Sequence, residues 1–260
     1  MTGAAVGRTQ IEIDGAGSAI VFVHGLGGTS NSFHALLGAL GGFRCIRPDL
    51  PGSGRSPHPF QPLTIDFFVE TIAEIVEKLG GGGVHLVGHS MGTLVCQHLA
   101  ARHPDAVKSL TLFGPIIEPP ESARERLRDR ARTARQDGMI GIADAAASGG
   151  TSSTSRGANP LLAPLVRESH MRQDPEGFAR TCEALARAEA ADLRFLRCPT
   201  SIVTGDEDAV APPSAAQALA DKIKRSKLRI LEHCGHWTPF ERSQDCAKLL
   251  SEHVRAHEAS

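Results

Sequence analysis

The sequence is poor in aromatic side chains: its 260 residues include ten Phe, one Trp and no Tyr. Platforms that stack nucleobases or sugar rings need several such rings together, so the composition argues against those functions. It also leaves the core to Ala, Val, Leu and Ile. An excess of either charge is missing as well. There are 28 Lys and Arg against 29 Asp and Glu, and the formal net charge is -1. A nucleic acid or an anionic membrane as the main partner calls for a basic surplus. Long apolar runs are absent too. The best is Ala19–Val23, whereas a spanning helix needs about 20 residues. Residues 1–10 lack the apolar centre of a secretory signal. The six cysteines (Cys45, Cys96, Cys182, Cys198, Cys234, Cys246) form no C-x-x-C pair. They read as free thiols in a reducing cytoplasm rather than as a zinc site or a disulfide framework.

What is present is an alternation of two kinds of segment. Ala19–Val23, Phe43–Ile46, Val84–Val87, Leu110–Phe113, Ser201–Val203 and Leu228–Leu231 are short apolar runs. They read as strands buried on both faces. Residues 32–40, 65–79, 91–102, 214–223 and 246–254 carry helical spacing. The succession predicts an α/β fold, a mostly parallel twisted sheet with helices on both faces. Gln10–Ile13 alternates polar and apolar residues and reads as an antiparallel edge strand. The rhythm stops between Pro115 and Phe195. That stretch holds an Arg-rich helical segment at 121–136, a Ser/Gly/Thr tract at 148–155 and a second helical segment at 176–190. It predicts an inserted helical cap over 115–195, on a core made of 1–114 and 196–260, with a mobile loop at 148–155 acting as an adjustable lid. The arginines are expected on a solvated face with i,i+4 ion pairs, or secondarily as a rim that steers anions.

Gly88-His89-Ser90-Met91-Gly92 is a G-x-S-x-G pattern between a predicted strand and a predicted helix. On such a turn a serine sits in strained backbone geometry, and small flanking residues let strand and helix approach. Ser90 is therefore the candidate nucleophile. A serine hydroxyl needs a base, and the base needs an orienting acid. His236, in the loop after the last predicted strand, belongs at the same carboxyl edge of the sheet. His24 and His89 flank tight turns and read as backbone supports. His85, inside a strand, reads as buried; His58, His103, His170, His253 and His257 read as solvent-facing. The acid comes from Gly205–Pro212. Asp208 fits a G-x-x-D-x-x-x-P spacing; Asp206, as a turn cap, and Glu207 are the alternatives. The Gly-rich turn His24-Gly25-Leu26-Gly27-Gly28 follows the strand Ala19–Val23. It can aim the Leu26 N–H, together with that of Met91, at a developing oxyanion. It lacks the third glycine of a dinucleotide loop.

These motifs, with Asp49-Leu50-Pro51-Gly52-Ser53-Gly54-Arg55-Ser56, resemble those of α/β-hydrolase-fold enzymes over nearly the whole chain. The short chain and single cap are similar to small bacterial members: enol-lactonases, carboxylesterases, haloperoxidase-like esterases and meta-cleavage C–C hydrolases. Residues 174–185 and 191–193 look most like the enol-lactonase group, whereas Cys234-Gly235-His236-Trp237 looks like the C–C hydrolase group. The resemblance implies a serine hydrolase acting on a small carboxylic ester or lactone. C–C hydrolysis or low-turnover binding of a small molecule is the alternative. The serine mechanism requires no cofactor and no metal, a monomer or homodimer is expected, and the low aromatic count predicts a pocket of mainly aliphatic shape, with Gly27, Phe33, Trp237 and Phe178 as candidate substrate contacts.

Overall fold

The structure, a computed structural model, describes residues 2–258. Eight strands form one sheet in the order β1-β2-β4-β3-β5-β6-β7-β8. They are β1 (Thr2–Val6), β2 (Thr9–Gly15), β3 (Ser18–Val23), β4 (Phe43–Pro48), β5 (Val84–His89), β6 (Val107–Phe113), β7 (Thr200–Gly205) and β8 (Ser226–Leu231). β2 pairs antiparallel with β1 and β4, and the remaining pairs are parallel. Gln10–Ile13 is antiparallel as expected, but it is not at the edge. β1 covers it, in a segment whose small residues carry no clear strand signal.

The central strands are apolar throughout because both faces are covered. In β3, Ala19, Val21 and Val23 point into one core layer with Ile72, Leu94 and Leu219. Ile20 and Phe22 point into the other, with Phe33, Leu250 and Val254. Strand alternation divides a continuous apolar run between two cores in this way. The first layer is closed by α1 (Ile65–Leu79), α2 (Met91–Arg102) and α8 (Pro213–Lys222). The second is closed by α10 (Ser243–Ala256) and a 3-10 helix at Ser30–Ala39, where an α-helix was expected. β8 departs from the buried-strand expectation. It is the far edge strand, and Ile230 on it is exposed.

Between β6 and β7 the chain forms α3 (Glu121–Asp137), α4 (Ile140–Gly149), α5 (Ser153–Ala158), α6 (Leu162–Met171) and α7 (Pro175–Ala186). α9 (Thr238–Glu241) precedes α10. The Ser/Gly/Thr tract is not the open loop that its composition suggested. It ends α4 and starts α5, and Thr151, Ser152 and Ser155 are buried. The arginines of α3 also behave differently from a string of i,i+4 pairs. Arg135 pairs with Glu176 and Glu183 of α7. Arg124 donates to the carbonyls of Ala186 and Ala188, Arg128 pairs with Glu121, and Arg132 pairs with Asp129. Arg124 and Arg135 therefore fasten α3 to α7 and the residues just after it, whereas Arg128 and Arg132 pair within α3.

Candidate active site

The sheet order reverses at β3. The chain leaves it toward β4 and returns on the other side as β5, and such a switch point opens a crevice at the carboxyl ends of the strands. The loops after β3 and β5 both end there.

Ser90 lies between β5 and α2 with φ 53° and ψ -123°. A non-glycine residue with positive φ is strained and persists only where its surroundings over-determine it. Here they do. The Ser90 N–H donates to Phe113 O at 2.9 Å, and its carbonyl accepts from the Thr93 N–H at 2.8 Å. Gly92 sits so close to β3 that a Cβ would collide with the Val23 carbonyl oxygen. The Ser90 hydroxyl donates to His236 Nε2 at 2.8 Å, and His236 Nδ1–H donates to Asp208 Oδ2 at 2.9 Å. Asp208 Oδ1 accepts the amides of Val210 and Ala211 at 2.8 and 2.7 Å. Burial alone would raise the Asp208 pKa. The His236 charge, its hydrogen bond and the two amides outweigh that and hold the carboxyl below its usual range. Of the three competing acids, only Asp208 reaches His236. Asp206 accepts the Cys234 N–H at 3.1 Å and braces the histidine loop, and Glu207 stands 4.0 Å from His233.

The Gly-rich loop after β3 closes as a turn, with the Gly28 N–H on Gly25 O at 3.0 Å and φ +74° at Gly27. Positive φ at the third position is the type II pattern and suits glycine. Gly25 abuts Ser90: a Cβ there would lie 2.7 Å from Ser90 Cβ. The Leu26 amide follows directly. Met91 opens α2, so its N–H has no partner within the helix. His24 supports the loop from below. Its Nδ1–H donates to Gly25 O and its Nε2 accepts the Leu50 N–H, each at 2.9 Å, and burial lowers its pKa and keeps it neutral.

His89 is a backbone support as expected. Its Nε2–H donates to His236 O at 2.9 Å, and its ring packs on those of His236 and Trp237. Burial, then the neighbouring His236, push its pKa down to about 3. His85 is buried as expected. Four other histidines correct the solvent-facing reading, His58 and His257 among them as half-buried, and only His103 is exposed as expected. His253 is half-buried, and burial, with His257 next to it, lowers its pKa to about 4. His170 is 5 % exposed. It packs against Trp237, Phe178 and Gly27, and burial again takes its pKa down to about 4. The signal for it was available: Leu162, Val166 and His170 share one face of α6 at four-residue spacing.

The histidine loop is held from the cap. The His236 N–H donates to Gly150 O at 2.9 Å, and the hydroxyls of Ser152 and Ser155 donate to His233 O at 2.7 and 2.9 Å. Glu241 accepts the amides of Gly235, Trp237 and Ser152. Phe33 is brought elsewhere than expected. It lies in the core against Phe22, ring centroids 5.1 Å apart and 1 % exposed, and offers a ligand no surface. Trp237 packs on His89, His170 and Phe240, and Gly27 lies against the His170 ring. Ser90 and His236 are each 7 % exposed. Two surface clefts, of about 210 and 700 Å³, have no triad residue in their walls. Among the described residues, no group of three or more His, Cys, Asp or Glu side chains is arranged to hold a metal ion, and no helix is long and apolar enough to cross a membrane.

The comparisons agree with this architecture. The chain is 28 % identical to a 2-hydroxymuconate semialdehyde hydrolase from Pseudomonas sp. (strain CF600), over 97 % of this chain and 92 % of that protein. It is 27 % identical to a pimeloyl-[acyl-carrier protein] methyl ester esterase from Chromobacterium violaceum, over 94 % and 97 %. Among solved structures, a thermophilic esterase from Thermogutta terrifontis matches with TM-score 0.90 and 27 % identity, covering 98 % of this chain and 96 % of that one. The enol-lactonase from Burkholderia xenovorans LB400 matches with TM-score 0.87 and 27 % identity, covering 98 % and 100 %. A family model for the alpha/beta hydrolase fold matches residues 18–243, and the chain belongs to that family of hydrolases.

Proposed function

We propose that this chain is a serine hydrolase that cleaves a small carboxylic ester or lactone through an acyl-enzyme. The observation that carries the reading is the hydrogen-bonded line from Ser90 through His236 to Asp208, at 2.8 and 2.9 Å. In the first step Ser90 Oγ attacks the substrate carbonyl carbon and its proton passes to His236 Nε2. The carbonyl oxygen becomes an oxyanion, and the N–H groups of Leu26 and Met91 receive it. Asp208 keeps Nδ1–H fixed and stabilises the imidazolium. His236 then gives its proton to the leaving oxygen. Water enters, loses a proton to His236 and attacks the acyl carbon, and Ser90 recovers its hydroxyl.

Gly27 and Trp237 are the substrate walls in this reading, and no cofactor takes part. A cytoplasmic setting belongs to the proposal and is supported by six free, buried thiols. Ser90→Ala is expected to lower kcat on p-nitrophenyl acetate by about 10⁴-fold or more. Turnover at the wild-type rate would remove Ser90 from the reaction. A panel of simple esters, enol-lactones and ring-fission diketones then separates ester cleavage from C–C cleavage. Stoichiometric binding without turnover on the whole panel would point to a binding protein.

A further inference from the structure

Cap helix α6 meets the oxyanion loop through a buried polar network that the mechanism above leaves unused. Ser169 Oγ donates to the Gly27 carbonyl at 2.7 Å. Just past the end of α6, Gln173 Nε2 donates to the carbonyls of Gly27 and Gly28, each at 3.3 Å, and to Ser169 O at 2.9 Å. Gln173 is 4 % exposed. An amide buried that deeply is unfavourable unless its hydrogens are used, and here they are turned onto the loop. The His170 ring fills the space over Gly27, and a Cβ on that residue would collide with it. Its Nδ1–H is taken by Val166 O at 3.0 Å, so the ring is itself held in place.

A loop that reads Gly25-Leu26-Gly27-Gly28 has little stiffness of its own, because glycine has the widest backbone freedom. An oxyanion site works only when its donors are fixed before charge develops. His24 fixes the loop on the core side, through Gly25 O. We infer that Ser169 and Gln173 are positioning residues for the Ser90 chemistry: from the cap they hold the Gly27 and Gly28 carbonyls and so keep the Leu26 amide aimed at the oxyanion. The cap then serves the chemical step as well as substrate choice. If α6 lifts, Gly27 and Gly28 lose both cap donors and the loop relaxes. The inference rests on the reading of Leu26 as an oxyanion donor.

The test uses the full chain with Ser169→Ala, Ser169→Thr, Gln173→Glu and the double variant Ser169→Ala/Gln173→Ala. Two readouts are taken: kcat and KM on p-nitrophenyl acetate, and inhibition by phenylboronic acid, which forms a tetrahedral adduct on a reactive serine. The double variant is expected to lose about 30-fold in kcat with KM within twofold, and to bind the boronate more weakly by a similar factor. That loss is below the 10²–10³-fold that removal of an oxyanion donor causes, because the donor is loosened rather than deleted. Ser169→Thr keeps the hydroxyl and should stay within twofold of wild type. Gln173→Glu turns an acceptor toward two carbonyls and should lose at least fivefold in kcat. A folded double variant with wild-type kcat and boronate affinity overturns the inference. So does a loss of melting temperature with boronate affinity intact, the mark of a purely structural contact. Should the double variant fail to fold, the pair Ser169→Ala and Ser169→Thr decides by the same criteria. An active Ser90→Ala would overturn both the hydrolase reading and this one, whereas an inactive Ser90→Ala beside an unaffected double variant overturns this one alone.

Discussion

The Ser90 turn and the histidine loop end at the same crevice but are built in opposite ways. Around Ser90 the geometry is local. Five consecutive residues supply the strained serine and the two glycines that let β5, α2 and β3 approach. Around His236 it is imported. Gly150, Ser152 and Ser155 come from the cap, Asp206 and Asp208 from the loop after β7, and Glu241 from the short helix that follows. A turn set by sterics tolerates almost no change at its glycines. A loop held by several hydrogen bonds should weaken in steps, because each bond contributes only about 0.5–1.5 kcal/mol net.

The largest effect is expected on the local side. Gly92→Ala drives a Cβ into the Val23 carbonyl oxygen, so β3 or α2 must shift. The variant should lose more than about 3 kcal/mol in denaturant unfolding or accumulate as insoluble protein. A stable, fully active variant would show the elbow to be less tightly packed than this. Next comes the imported side. Ser152→Ala/Ser155→Ala removes both hydroxyl donors from His233 O. It should lower kcat about tenfold with KM nearly unchanged, and lower the melting temperature by a few degrees. Lost stability with full kcat would mean that the brace does not reach the His236 ring.

A third effect depends on pH. His170 has its pKa lowered to about 4 in the folded chain, by burial, from an ordinary 6.5. The unfolded chain therefore binds a proton at higher pH than the folded one does. The contribution of His170 to stability is complete above pH 6.5 and is lost as pH falls from 6.5 toward 4. At about 1.4 kcal/mol per pKa unit this amounts to roughly 3 kcal/mol. His170→Gln should flatten the fall in unfolding free energy between pH 7 and pH 4.5; an unchanged slope would assign the acid sensitivity to His89 and His253. The smallest effect lies far from both loops. Arg132 and Asp129 pair on the exposed face of α3, and Arg132→Ala should change stability by less than about 0.5 kcal/mol. A larger loss would mean that α3 holds the cap by more than its contacts with α7.

The same contrast explains what was legible in advance. The meeting of Ser90, Asp208 and His236 was readable because each follows a strand, and parallel strands deliver the loops that follow them to one edge. Asp208 could be preferred to Asp206 on its distance from Pro212, since that spacing is local. His170, Ser169 and Gln173 were not readable as site neighbours. Only the docking of α6 puts them against Gly27, and no short-range pattern encodes where a cap helix lands. The Ser/Gly/Thr tract misled for a related reason. Its composition describes a free chain, yet its hydroxyls are ordered by a carbonyl of the histidine loop far along the sequence. Phe33 misled in the opposite way. An aromatic residue next to a Gly-rich loop looks like a pocket wall until the 3-10 helix turns it into the core.

By itself, then, the sequence determined the alternating α/β order, the strained serine turn, the glycine loop and the convergence of Ser90, Asp208 and His236 at one edge of the sheet. Each of these follows from sterics or periodicity over a few residues. Tertiary structure alone decided that β1 covers the sheet edge and that the helices between β6 and β7 hold both the Gly-rich loop and the His236 loop. It also decided that the His170 ring lands over Gly27. Those outcomes depend on burial and on hydrogen bonds between segments far apart in the chain, and such terms take their value only when the packed partners are present.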